Sequence, residues 1–92
     1  MIIRISGEGQ YRLDADAARH LNEMDNELVR LVEGGDEAAF YSRFRELIEW
    51  VRRRGERVSA DEVVASDVII PPPDITFEEA RKVFRGEGLV PG

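Results

Sequence analysis

Ile2, Ile3 and Ile5 set an apolar, partly alternating β pattern around Arg4, and Tyr11-Arg12-Leu13 forms a second short piece of the same kind. The intervening Ser6-Gly7-Glu8-Gly9-Gln10 has the composition of a hairpin loop, in which glycine supplies positive φ. The period then changes. Ala17, Leu21, Met24, Leu28, Leu31 and Val32 recur at three- and four-residue spacing, which predicts an amphipathic helix capped by Asp14 or Asp16. Gly34-Gly35 ends it, and Asp36 caps a second helix whose Phe40, Phe44, Leu47, Ile48 and Val51 make one stripe up to Gly55. So short a break predicts an antiparallel helical hairpin in which each helix covers the other's apolar face.

Shorter pieces follow. Ser59 and Glu62 have capping-box spacing for a brief helical turn, and Asp67-Val68-Ile69-Ile70 predicts a strand stopped by Pro71-Pro72-Pro73. Thr76 and Glu79 form a second capping box, opening a helix to about Phe84. The expected fold is α+β and a single domain over 1–92: a small sheet of the N-terminal hairpin plus the later strand, packed on the two-helix hairpin, with a short C-terminal helix. The closing Gly86-Glu87-Gly88-Leu89-Val90-Pro91-Gly92 reads either as a docked end or as a frayed tail.

Composition narrows the chemistry. The 92 residues, 42% hydrophobic and 35% charged, suffice for one modest core but not for a deep enclosed active site. The run Val68-Ile69-Ile70 is too short to cross a bilayer, and no signal-peptide pattern stands at the start, so a cytoplasmic location is expected. Without cysteine, thiolate catalysis and cysteine-ligated zinc are excluded, and the single His20 has no histidine or cysteine partner at a metal spacing. Asp61-Glu62 and Glu78-Glu79 sit at helix starts, where carboxylates favour the dipole. No catalytic residue, metal site or cofactor is therefore expected. The first Gly-Glu-Gly triplet is a poor phosphate cradle, because strand rather than helix follows it and Glu8 repels an anion.

The net charge of −6 argues against generic nucleic-acid binding. Between Arg43 and Arg57, however, six arginines face three glutamates, a basic edge on an acidic body. Arg52, Arg53 and Arg54 fall on successive directions around the end of the second helix, where they either complement its dipole or dock acidic partner helices or anionic lipid headgroups, and Arg54 and Arg57 extend the patch past Gly55. Trp50 and Tyr41 flank the apolar stripe. Tryptophan and arginine are typical interface anchors, so Trp50, Arg52, Arg53, Arg54 and Arg57 are the candidate partner-binding residues.

In order along the chain, IIRISGEGQYRL, LVEGGDEAAF, ADEVVASDVIIPPPD and GEGLVPG resemble the PspA-associated domain family, PspAA, small proteins encoded with the phage-shock membrane-remodelling protein PspA. The resemblance spans nearly the whole chain. It implies a non-enzymatic adaptor in the envelope stress response, partnered by a PspA-like helical protein and brought to the inner face of the membrane only through that partner. It supplies no functional residues to transfer, and it implies that both Gly-Glu-Gly triplets set chain geometry. Two other readings stand beside it: a small ligand-sensing or weakly catalytic domain with a pocket lined by Tyr11, His20 and Tyr41, and a winged-helix-like DNA binder using the Arg43–Arg57 edge. Weak self-association is expected through a free edge at Ile2–Ile5.

Overall fold

Both flanks of the first strand are occupied. In the computed structural model, which describes residues 1–90, β1 (Ile2–Ile5) pairs antiparallel with β2 (Gly9–Arg12), Ile3 opposite Tyr11 and Ile5 opposite Gly9. The turn between them needs Gly7 at φ +78° and is closed by the Glu8 amide donating to Ile5 O. Two helices follow, α1 (Ala15–Glu33) and α2 (Glu37–Arg54), then β3 (Glu56–Arg57), β4 (Val68–Ile70) and α3 (Phe77–Val83). β4 runs parallel to β1 and β3 antiparallel to β2, giving the sheet order β3-β2-β1-β4. The expected free edge at Ile2–Ile5 is thus corrected: it is interior. The edges are a two-residue and a three-residue strand, the latter running into Pro71, which leaves little backbone for another chain to pair with.

The helical hairpin forms as its periodicity dictates. Asp14, rather than Asp16, is the N-cap of α1, its carboxylate accepting from the Ala17 amide at 2.8 Å, and Asp36 caps α2 in the same way at Ala39. Phe40, Phe44, Leu47, Ile48 and Val51 are all buried, facing Leu21 and Leu28 of α1 and the inward side chains Ile3, Ile5 and Ile70 of the sheet. α3 opens with the Thr76–Glu79 capping box and delivers Phe84, whose ring lies 5.3 Å from Phe40 and 5.7 Å from Phe44.

Two local expectations fail for physical reasons. Ser59 to Glu62 is a turn and opens no helix, because Glu62 reaches across to Arg12 instead of back to the cap, and no apolar face follows: Val63 is 98% exposed. β3 was absent from the pattern, being two charged residues. It exists because Gly55 lets the chain turn tightly over β2, where any Cβ at that position would stand 2.9 Å from Tyr11 Cβ.

The C-terminal segment is docked as far as Val90, while Pro91 and Gly92 of the GEGLVPG motif lie outside the described residues. Its receptor is Asp25, fully buried in the middle of α1, whose two carboxylate oxygens accept from the amides of Leu89 at 3.0 Å and Val90 at 2.9 Å. Gly88 sits at φ +75°, and a Cβ there would lie 2.6 Å from the Asp25 carboxylate. The second Gly-Glu-Gly triplet therefore shapes a turn over a buried acid.

Candidate functional site

Successive residues on a helix point about 100° apart, so Arg52, Arg53 and Arg54 leave the end of α2 in three directions. Arg52 folds back over the hairpin, where its Nε donates to Glu8 at 3.0 Å and a second nitrogen meets Glu49. Glu8 also accepts from the Tyr11 hydroxyl at 2.7 Å. The Arg52 hydrogen bond, followed by that of Tyr11, holds the Glu8 carboxyl below its ordinary range, against the opposing effect of burial. Glu8 is thus the counterion that seals the hairpin against α2. Arg54 reaches Asp14 at 3.0 Å, tying the end of α2 to the cap of α1; that carboxyl is lowered first by the Ala17 amide and then by Arg54. Arg57 lies over the Tyr11 ring, 5.4 Å from its centroid, and donates to Glu8 O.

Three of the four candidate arginines are therefore engaged within the chain, at the corner where the sheet meets α2. Arg53 points elsewhere. With Trp50, Arg45, Met24, Ser42, Glu46 and Glu49 it lines a groove of about 560 Å³ on the outside of the helical hairpin. The groove continues into a smaller depression of about 210 Å³ bounded by His20, Met24, Glu27, Arg43 and Glu46. Met24 and Trp50 are half-buried there, and the Trp50 ring rests 4.9 Å from that of His20.

The charges of this groove are unevenly satisfied. Arg43 bridges Glu27 and Glu46, each at 3.0 Å, and Glu49 is held by Arg52. Among the described residues Arg45 and Arg53 have no ion pair and no side-chain hydrogen bond. The surface thus presents an apolar floor and two guanidinium groups whose donors are free. Of the candidate residues named from the sequence, Trp50 and Arg53 line this groove; Met24 and Arg45 were not among them, although the spacing of Ser42, Arg45, Glu46, Glu49 and Arg53 was a readable helical stripe.

The pocket expected from Tyr11, His20 and Tyr41 is not assembled. Tyr11 bonds Glu8, Tyr41 donates to Ile75 O at 2.6 Å and His20 makes a tilted ring contact with Trp50, so the three side chains are bound at separate places. Among the described residues no cluster of three histidine, aspartate or glutamate side chains converges as metal ligands, and no helix is long and apolar enough to cross a membrane.

The sequence matches the family PspAA, described as PspA-Associated protein, over residues 1–92. The chain belongs to the PspA-associated protein family. No curated protein and no solved structure matches it. Within this PspA-associated protein, residue roles therefore rest on geometry: Arg52, Arg54 and Arg57 brace the fold, and Trp50 and Arg53 face outward with Met24 and Arg45.

Proposed function

We propose that this PspA-associated protein is a non-enzymatic adaptor that binds PspA, or a related helical membrane-stress protein, in the envelope stress response. The observation that carries the reading is the match of the entire chain to a family named for its association with PspA. The groove supports it in chemical terms. A half-exposed tryptophan and methionine beside two unpaired arginines is the composition of an interface core with its polar rim. On this reading the protein works in the cytoplasm and reaches the inner face of the membrane through its partner, since the net charge of −6 opposes direct approach to anionic lipid.

Co-purification of the tagged chain with PspA from the same organism, at low salt and with membranes present, tests the proposal. Retention of PspA is the expected result. Its absence under those conditions removes the adaptor reading.

A further inference from the structure

We infer that the groove between α1 and α2 recognises an amphipathic helix bearing two carboxylates about two turns apart, with one apolar side chain between them. The naming of PspA as its bearer rests on the adaptor reading above, whereas the recognition pattern rests on the groove alone.

Arg45 and Arg53 are eight residues apart on α2, roughly 12 Å along the axis at 1.5 Å per residue. A helix lying along α2 in either direction reaches both guanidinium groups with carboxylates seven or eight residues apart. The residue midway between them then falls over the floor made by Met24 and Trp50. The repulsion of such a ligand by the acids lining the same surface is partly offset, because Glu46 and Glu49 each lie against a guanidinium, that of Arg43 and that of Arg52. Contact between the His20 and Trp50 rings pre-sets the indole, so less side-chain freedom is lost on binding. Helix-in-groove recognition with spaced anchors is the mode that fits. A phosphate-rich surface fits less well: it also satisfies arginine, but headgroup phosphates bring no apolar side chain to cover the floor of Met24 and Trp50.

The probe is a helical Ala/Gln peptide of about 20 residues, long enough to hold helix, with Glu at positions i and i+7 and Leu at i+4. Trp50 is the only tryptophan of the chain and reports binding through its own emission. The expected result is a saturable emission change that weakens at least about tenfold with Glu→Gln or Leu→Ser peptides, and as much in an Arg45→Glu/Arg53→Glu variant whose circular dichroism is unchanged. No saturable change, equal affinity for the Gln peptide, or undiminished binding by the variant overturns the inference. So does tighter binding to anionic phosphatidylglycerol vesicles than to the peptide, which would make the groove a lipid site. If PspA co-purifies equally with wild type and variant, the adaptor reading survives while this recognition pattern fails. Arginine-dependent peptide binding without PspA association preserves the pattern and removes PspA as its bearer.

Discussion

Replacing Asp25 by alanine isolates what holds the C-terminal segment. The carboxylate is wholly buried on α1 and accepts two backbone hydrogen bonds, from Leu89 and Val90. Hydrogen bonds to a charged acceptor contribute about 1.5–3 kcal/mol each after exchange with water, which sets about 3–6 kcal/mol as the upper range for the pair. Part of that is offset. Burial raises the Asp25 carboxyl above its ordinary range despite the two amides that lower it, so the variant is relieved of a desolvated charge. The two amides, once orphaned, return to water most easily if the segment leaves its site, which also exposes Val90, worth about 1.5–3 kcal/mol when buried. The expected net loss is about 2–3 kcal/mol, with local release of the segment beyond Arg85 and retention of the α1–α2 core. Urea denaturation gives the stability change and amide hydrogen exchange gives the release. The reasoning is refuted if Leu89 and Val90 stay as protected as β1 and the stability changes by less than about 0.5 kcal/mol.

Phe44→Ala removes a ring that is 1% exposed and packed between Phe40 and Phe84, so chemical denaturation should show a loss of about 3–5 kcal/mol; a loss under about 1 kcal/mol means the ring is not the wedge it looks to be. Glu8 is expected to add pH dependence. Its carboxyl is lowered in the folded state, so its contribution is present above the ordinary 4.5 and is lost as pH falls through the folded value. The stability gap between wild type and Glu8→Gln should therefore be widest near neutrality and close in acid, and a gap that stays constant across that range would contradict the Arg52 pairing.

Strong periodicity made α1, α2 and the hairpin legible, because burial of a continuous face constrains every third or fourth residue at once. Short-range signals succeeded only where tertiary contacts agreed with them. Thr76 and Glu79 form their capping box because Phe84 anchors the helix they open, whereas the identical spacing of Ser59 and Glu62 is overruled by Arg12. β3 is invisible in sequence since its pairing is imposed by Gly55 and Tyr11 rather than by its own side chains. Asp25 did leave a trace. It stands on the buried stripe between Leu21 and Leu28, where a charged residue needs a partner, but that partner lies 64 residues on. In the arginine run the helical rotation was legible and the partners were not: Arg52 meets Glu8 and Arg54 meets Asp14, each about 40 residues away in sequence, while Arg53 enters the groove.

That separation lets one titration test the adaptor account. Arg53→Glu alters an unpaired side chain and leaves the Glu8 and Asp14 pairs intact, so the variant should fold as the wild type does. Purified PspA titrated into both proteins at low and moderate salt is the direct measurement. The account predicts saturable binding to the wild type that weakens as salt rises, and affinity lower by about tenfold, with slower association, for the variant. Absence of PspA binding to the wild type at low salt would contradict the adaptor function, and equal binding by both proteins would contradict its assignment to the groove.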